Sequence, residues 1–259
     1  MRRYFKLNIK EALTLIFLFI SVDTFASASA GIFDKLFYKP KNSYVKIKTN
    51  QGELIIKLYN ETPQHRDNFL KLAKEEFYNN TLFHRVIKNF MIQGGDPDSK
   101  TATPNQVLGE GDIGYRINPE FNDSLFHKKG TLAAARDNNP QKASSGCQFY
   151  IVQGKVFTDE ELNRVEQYRL QGRKIPAWQR EVYKTIGGTP HLDQNYTVFG
   201  EVVRGLEMVD SIATVPTDTN DRPKQDVKME VTVLKKREAR KLEKELVKEA
   251  FRKSIIMKQ

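Results

Sequence analysis

Cysteine is almost absent from this sequence, since only Cys147 occurs among 259 residues. A single cysteine excludes an intramolecular disulfide framework, and its place deep in the chain excludes a lipid-bearing cysteine directly after an export signal. No histidine lies near Cys147 in the sequence to activate it. We therefore expect Cys147 to be a small buried residue and not a nucleophile.

Histidine is also scarce, with four residues in the whole chain. His65, His127 and His191 are too scattered to suggest a metal site, and His84 is expected to pack or to hydrogen-bond inside the body. The sequence therefore predicts no metal centre.

A long apolar run is missing. The uncharged stretch from Ala12 to Val22 has 11 residues, whereas a membrane-spanning helix needs about 20. It follows a basic stretch that ends at Lys10 and precedes the small residues of "TFASASA", the pattern of a secretory signal. We expect a signal peptide over residues 1–30, cleaved after Ala28 or Ala30, and then a linker over residues 31–42. The alternative is an uncleaved membrane anchor.

The mature protein is thus expected to be exported, to the periplasm, the outer surface or the medium, and a monomer is expected.

Positive charge is concentrated at the ends of the chain. Of the formal net charge of +10, residues 1–30 carry +2 and the segment from Lys235 onward carries +6. The central body, residues 31–234, is therefore nearly neutral, with no sign of a phosphate-binding face, and nucleic acid is not an expected partner.

The basic C-terminal segment, residues 235–259, has Ala239, Leu242, Leu246 and Ala250 at helical spacing on a highly charged background. This pattern predicts a helix. Two interpretations stay open: a solvated helix that docks one narrow face on the body, or a helix that contacts a membrane surface or a partner protein.

Short strands dominate the predicted secondary structure of the body. Residues 44–59, "YVKIKTNQGELIIKLY", alternate apolar and polar side chains around "TNQG" and predict a hairpin. A helix follows, with Thr62 as its cap and Pro63 at its first position. The further strand candidates are "TLFHRVI", "FMIQG", "GTLAAAR", "CQFYIVQ", "YTVFGEVV" and "KMEVTVL", and the segment "GLEMVDSIA" is a second helix. Many short strands with irregular connections favour an antiparallel barrel or sandwich over βαβ units.

A helical insert over residues 157–188 interrupts the strand pattern. Thr158 and Glu161 form a capping-box pattern for one helix, and Pro176 can begin a second helix that ends at Gly187 and Gly188. The sequence therefore predicts a helical hairpin between two strands.

Arg85 lies among apolar residues in "FHRVIKNFMIQGGD", residues 83–96. Strand alternation places it on one face with Phe83 and Ile87, with its guanidinium at a rim and its stem covered. Alone, such an arginine is usually a salt-bridged surface residue. Its surroundings, however, form a recognisable pattern.

That segment resembles the signature of the cyclophilins, the peptidyl-prolyl cis/trans isomerases. "GTLAAAR" (130–136), "CQFYI" (147–151) and "PHLDQNYTVFGEV" (190–202) resemble three more segments of the family in the expected order. The resemblance covers residues 43–234. It implies a mainly β fold, a closed eight-stranded antiparallel β-barrel capped by two α-helices, and isomerisation of Xaa-Pro bonds without metal or cofactor.

The resemblance also implies a site. Arg85 is the catalytic residue, and the substrate-binding residues are Phe90, Met91, Gln93, Ala135, Arg136, Gln148, Tyr150, His191, Leu192 and Tyr196. Phe149, by strand alternation, should face the core instead. The partners expected are proline-containing unfolded or flexible polypeptides.

Two site residues depart from the family pattern. Tyr150 stands where an aromatic ring without a hydroxyl is more usual, so an added polar atom needs a partner. His191 stands where many eukaryotic members have tryptophan, a main contact for cyclosporin, so cyclosporin binding is expected to be weak. The insert before His191 is a third departure; it either narrows substrate choice or only adds stability.

The sequence therefore predicts an exported isomerase that accelerates proline-limited folding. The alternative is a cyclophilin-fold chaperone or docking module that binds proline with little catalysis. The insert and the basic tail are the features that would favour the alternative.

Overall fold

The computed structural model describes residues 41–256, which fall into two units: residues 42–235 and the part that contains the C-terminal helix. The predicted signal peptide, residues 1–30, lies outside the described residues. The strands of the first unit are β1 Ser43–Thr49, β2 Gly52–Leu58, β3 Phe83–Ile87, β4 Met91–Gly94, β5 Arg116–Ile117, β6 Thr131–Ala134, β7 Ser144–Ser145, β8 Phe149–Val152, β9 Val198–Arg204 and β10 Glu230–Val233.

The five α-helices of residues 41–256 are α1 Pro63–Lys74, α2 Asp159–Tyr168, α3 Ala177–Thr185, α4 Leu206–Ile212 and α5 Lys236–Ile256. The two helices predicted in the body outside the insert are present as α1 and α4, and the predicted C-terminal helix is present as α5. The hairpin is confirmed, because β1 pairs with β2 in the register that brings Thr49 opposite Gly52. The short pair β5–β7 was not predicted, since two-residue strands leave no periodic signal.

The main sheet has eight antiparallel strands in the order β10-β1-β2-β9-β6-β8-β4-β3. The expectation of a closed barrel is wrong, because the end strands β3 and β10 do not form a ladder with each other among the described residues. They meet only through an isolated bridge between Leu82 and Lys228, just before each strand begins.

The chain before β10 explains the opening. Val86 of β3 donates its N–H to the carbonyl of Asp221, in a loop where Asp221 has φ 61° and Pro223 has no N–H to offer. A left-handed residue and a proline interrupt a regular ladder. The sheet is therefore a half-barrel whose free edge is covered by a loop.

The sheet curls around one apolar core. Phe69 of α1 packs edge-on against Phe149 of β8, with ring centroids 5.3 Å apart and an interplanar angle of 86°. Phe149 thus faces the core as predicted. Cys147 is buried as well, and burial raises the pKa of its thiol to about 11, so it stays protonated and unreactive at neutral pH.

Helix α1 begins at the predicted position but with a different cap. Thr62 occupies the N-cap position, yet its side chain makes no capping hydrogen bond. Instead the carboxylate of Glu120 accepts from the backbone N–H groups of Gln64 and His65, each at 3.0 Å. A carboxylate is also favoured at the positive end of the helix dipole. Glu120, which is distant in the sequence, therefore caps the helix in place of Thr62.

The insert is the predicted helical hairpin. The capping box is present, with Glu161 N–H donating to Thr158 Oγ1 at 3.2 Å and Thr158 N–H donating to Glu161 Oε2 at 3.0 Å. Helices α2 and α3 enclose a small core of Phe126, Phe157, Leu162, Ile175 and Tyr183. Buried Glu166 joins them, because it accepts from Arg180 Nη1 and Lys174 Nζ, each at 2.8 Å. The insert is therefore a packed element and not a loose loop.

The C-terminal helix α5 is described by itself. Ala239 and Leu242 are buried, whereas Val247, Phe251 and Ile255 are exposed. Within residues 41–256 no helix is long and apolar enough to cross a membrane.

Candidate active site

Three neighbouring strands place three polar side chains of the site side by side in one row. Arg85 of β3 lies opposite Gln93 of β4, and Gln93 lies opposite Tyr150 of β8. Side chains directly opposite one another in antiparallel strands lie side by side on one face of the sheet. A guanidinium, an amide and a phenol therefore follow one another across the sheet.

A bulge between Phe83 and Arg85 makes this possible. The register of β3 against β4 shifts there, and Phe83 packs in the same core cluster as Val86. The prediction that Phe83 and Arg85 share a face by simple alternation is therefore wrong, because a bulge re-aims the side chains that follow it. His84 is buried at this point, and burial lowers its pKa to about 4.

The row borders a cavity of about 160 Å³ that gathers nine of the eleven predicted site residues. They are Arg85, Phe90, Met91, Gln93, Ala135, Arg136, Tyr150, Leu192 and Tyr196. The remaining two are next to it, because Gln148 hydrogen-bonds to Gln93 and the ring of His191 stacks on Phe90. The structure thus brings all eleven together.

Six of the nine residues that line the cavity have apolar or aromatic side chains. Met91, Ala135, Tyr150 and Leu192 belong to one buried cluster, and Phe90 and Tyr196 pack against it. An apolar, concave wall with a few polar groups at its edge is the usual form of a small-ligand pocket. Its size suits a single small ring, such as the side chain of proline.

Arg85 stands at the rim with nearly half of its side chain exposed (45%). Its Nε lies 3.6 Å from the carboxylate of Asp221, which is too long for a hydrogen bond. Two exposed charges at this distance attract each other only weakly. The carboxylate therefore orients the guanidinium but leaves its donors available to a ligand.

Gln93 is held by a second amide. Gln93 Nε2 donates to Gln148 Oε1 at 3.0 Å, and Gln148 Nε2 donates to the carbonyls of Gly109 and Gly111 at 2.8 and 2.9 Å. The loop before β5 thus fixes both side chains. The Gln93 carbonyl oxygen is left to accept a hydrogen bond from a peptide N–H.

Arg136 has a different situation from Arg85. Its Nε and Nη2 donate to the backbone and side chain of Asn195 at 3.0 and 2.9 Å, and Nη1 donates to the carbonyl of Asp137 at 2.8 Å. The guanidinium also lies 4.6 Å from the ring centroid of Tyr196. Each of its three nitrogens thus donates a hydrogen bond within the protein, so Arg136 is fixed in the cavity lining and positions Tyr196.

The hydroxyl of Tyr150 has a partner that was not foreseen. Tyr150 Oη lies 2.9 Å from Nε2 of His127, and His127 Nδ1 lies 2.9 Å from the carboxylate of Asp193. The sequence pattern indicated only that a partner was needed. His127 lies 23 residues before Tyr150, and no motif connects the two residues.

His191 lies at the edge of the cavity as a neutral ring. Its ring centroid is 5.6 Å from that of Phe90, at an angle of 24°. Burial, assisted by the positive charge of Arg169, lowers the pKa of His191 to about 4. It therefore presents an uncharged imidazole at neutral pH.

We predict that His191→Trp strengthens cyclosporin binding by at least tenfold over the weak binding of the wild type, because an indole adds apolar contact area and a donor at the rim. Inhibition of peptide isomerisation by cyclosporin measures this for both proteins. The control is Tyr168→Trp, which introduces the same side chain at an exposed tyrosine of the insert that does not line the cavity. Submicromolar inhibition of the wild type would contradict the expectation.

None of the described residues that line the cavity is a cysteine, a serine or a histidine. A pocket with apolar and aromatic walls beside a charged donor and a fixed amide suits non-covalent binding of a peptide segment. The fold and the pocket therefore define a class of non-covalent peptide-binding site.

Comparison with known proteins specifies the class further. A sequence model described as "Cyclophilin type peptidyl-prolyl cis-trans isomerase/CLD" matches residues 44–233. A Staphylococcus aureus protein named "Putative peptidyl-prolyl cis-trans isomerase" is 37% identical over 190 residues, which are 72% of this chain and 88% of the relative. The chain therefore belongs to the cyclophilin-type peptidyl-prolyl cis-trans isomerase family.

Two further matches differ in extent. A Streptococcus pyogenes protein named "Putative bifunctional phosphatase/peptidyl-prolyl cis-trans isomerase" is 36% identical over 218 residues, which are 80% of this chain but 43% of that longer relative. The crystal structure of a cyclophilin-type isomerase from Cryptosporidium parvum has a TM-score of 0.56 and 24% identity, and the match covers 75% of this chain and 98% of that one. The latter match shows the fold.

Proposed function

We propose that the protein accelerates cis/trans isomerisation of Xaa-Pro bonds in flexible polypeptides, with Arg85 as the catalytic residue. The observation that carries this proposal is the position of the Arg85 guanidinium at the rim of an apolar cavity, beside Gln93 on the neighbouring strand.

The chemistry requires little more than this. Amide resonance opposes rotation with a barrier of about 18–20 kcal/mol, and uncatalysed prolyl isomerisation takes tens to hundreds of seconds. In the twisted state the prolyl nitrogen becomes pyramidal and regains a lone pair. A donor placed there stabilises the twisted state and not the planar ones, which is the requirement for catalysis.

Each part of the site then has a role. Phe90, Met91 and Leu192 hold the proline ring away from water, while Gln93 accepts from the backbone of the bound peptide. Arg85 holds a carbonyl of the bound peptide and donates to the prolyl nitrogen as the bond twists. No bond breaks, so neither a nucleophile nor a general base is needed.

The test is cis/trans exchange in a short Xaa-Pro peptide followed by NMR with the purified protein. Faster exchange at catalytic protein concentration supports the enzyme. Peptide binding without faster exchange would instead support the alternative, a proline-binding chaperone or docking module that uses the same cavity.

The proposed site of action is outside the cytoplasm, during folding of exported proteins. The support is the signal-like pattern of residues 1–30, with its basic start, its apolar run and its small residues. Fractionation of cells that produce the full chain, with the N-terminal sequence of the recovered protein, tests export and cleavage. Recovery of an uncleaved protein from the cytoplasm would contradict it.

We also propose that helix α5 binds to an anionic membrane surface. Val247, Phe251 and Ile255 recur every fourth residue and are 69%, 66% and 46% exposed. Lys244 and Lys248 have the same spacing and lie beside that apolar row. Apolar side chains flanked by lysines are typical of helices that lie in a membrane interface.

We predict that full-length protein binds vesicles containing phosphatidylglycerol and that Val247→Ser/Phe251→Ser/Ile255→Ser weakens this binding at least fivefold. Co-sedimentation at low salt measures it. The control is Val156→Ser, which removes an exposed apolar side chain from the other unit. Equal binding by the triple variant and the wild type would contradict the prediction, as would equal binding to neutral phosphatidylcholine vesicles.

A further inference from the structure

We infer that the helical insert positions the proline pocket through a buried chain of hydrogen bonds, in which His127 and Tyr183 are positioning residues that control substrate binding. This inference rests on the proposed function, because it concerns the same cavity.

The chain has four side chains. Tyr150 in the cavity wall contacts His127 Nε2 at 2.9 Å, His127 Nδ1 contacts Asp193 Oδ1 at 2.9 Å, and Tyr183 of α3 donates to Asp193 Oδ2 at 2.6 Å. All four residues are buried, with exposures of 5% or less. The cavity wall is thereby connected to the core of the insert.

The chemistry of the carboxylate determines one proton of this chain. A carboxylate only accepts hydrogen bonds, so His127 Nδ1 carries a proton toward Asp193. In the tautomer with this single ring proton, Nε2 accepts and the Tyr150 hydroxyl donates to it. The Tyr183 hydroxyl donates to the other carboxylate oxygen. One tautomer therefore satisfies every group, and the loss of one hydroxyl leaves a buried acceptor without its donor.

Asp193 connects the chain to the other side of the cavity. It directly follows Leu192, which lines the cavity, and His191, which stacks on Phe90. Arg173 of the insert also donates through Nη2 to the backbone carbonyl of Asp193 at 2.7 Å. The insert thus holds the segment 191–193 by a side-chain bond and a main-chain bond.

Tyr150 also connects the hydrogen-bonded chain to Tyr196, another residue of the cavity wall. Its ring lies edge-on to that of Tyr196, with centroids 5.9 Å apart and an angle of 81°. The chain therefore fixes Tyr150, Tyr196 and Leu192 relative to one another. Arg85 makes none of these contacts, so we expect the insert to govern binding of the proline ring and not the position of the Arg85 guanidinium.

The expected result is a change in KM without a comparable change in kcat. Tyr183→Phe should raise KM for a short Xaa-Pro peptide by about three- to tenfold and leave kcat within about twofold. The matched control is Tyr168→Phe, which removes a hydroxyl from an exposed tyrosine (72%) of the same insert. The control should leave both constants unchanged.

A double-mutant cycle separates this role from a purely structural one. Effects at sites without contact usually combine to within about twofold. Because His127 and Asp193 connect the hydroxyls of Tyr150 and Tyr183, we expect the KM effects of Tyr150→Phe and Tyr183→Phe to deviate from independence by about threefold or more. Independent effects would overturn the inference.

The tautomer of His127 offers a test that needs no variant. The ¹⁵N NMR spectrum of the wild-type imidazole should show a protonated Nδ1 and an unprotonated Nε2, before and after addition of peptide. The opposite tautomer would overturn the inference. If the peptide binds but its exchange is not accelerated, the proposed function fails while the binding cycle, measured as Kd, still tests the positioning role.

Discussion

Arg85→Ala is expected to lower kcat/KM for an Xaa-Pro peptide by roughly 10- to 100-fold. A charge-assisted hydrogen bond contributes about 1.5–3 kcal/mol, and each 1.36 kcal/mol of barrier is about tenfold in rate. Because the bond to the prolyl nitrogen forms only in the twisted state, kcat should fall more than peptide affinity. Two-dimensional NMR exchange at known saturation gives both quantities.

Two further variants, Arg85→Lys and Arg164→Ala, serve as comparisons for Arg85→Ala. Arg85→Lys keeps the charge but loses the planar set of donors, so it should recover little of the rate. Arg164→Ala removes an exposed arginine from α2 and should leave the rate unchanged. Since the Arg85 side chain is 45% exposed, its loss should change the free energy of unfolding by no more than about 0.5 kcal/mol. Full activity in a folded Arg85→Ala protein would remove Arg85 from the mechanism.

We propose that the rest of the rate acceleration comes from the cavity itself. A single donor cannot account for a large acceleration, so preferential binding of the twisted conformer by the dry wall must contribute. The apolar residues Phe90, Met91 and Leu192 are fixed by packing, and Gln93 is fixed by Gln148. A site held in this way loses little free energy to reorganisation when the substrate binds.

The location of the site was predictable because it lies in short segments with a recognisable order of residues. The residues that support it were not. Glu120 caps α1 from 55 residues away, and Asp221 reaches Arg85 from a loop more than a hundred residues later. Such contacts depend on tertiary packing, which one sequence does not reveal through local spacing.

The errors about the sheet have the same origin. Alternation within β3 assumes a regular strand, but the bulge between Phe83 and Arg85 changes which side chains share a face. Closure of the barrel depends on pairing between β3 and β10, at opposite ends of the domain. Local propensity predicts both strands correctly and says nothing about the loop that separates them.

Gly154→Ala is expected to lower the free energy of unfolding by about 2–4 kcal/mol. Gly154 has φ 65°, and a Cβ atom there would lie 2.6 Å from the carbonyl oxygen of Gly188 and 2.7 Å from its carbon. The left-handed conformation alone costs an alanine about 1 kcal/mol, and forcing a methyl group against backbone adds about 1–3 kcal/mol. Urea unfolding measures the sum.

Gly172→Ala separates the two contributions. Gly172 has φ 87°, but a Cβ atom there would meet nothing within 4 Å, so only the conformational cost of about 1 kcal/mol is expected. Equal losses in the two variants would show that the close approach of Gly154 to Gly188 has no energetic weight.

Gly154→Ala should also weaken substrate binding at the site. Gly154 and Gln153 both donate their N–H groups to the carbonyl of Phe90 at 3.0 Å, and Lys155 pairs with Gly188 at the base of the insert. A backbone that yields to the new methyl group must move either the cavity wall at Phe90 or the insert at Gly188. We therefore expect Gly154→Ala, under conditions where it is folded, to raise KM for a prolyl peptide, whereas Gly172→Ala leaves KM unchanged. An unchanged KM in the folded Gly154→Ala protein would show that the wall at Phe90 is held independently of this turn.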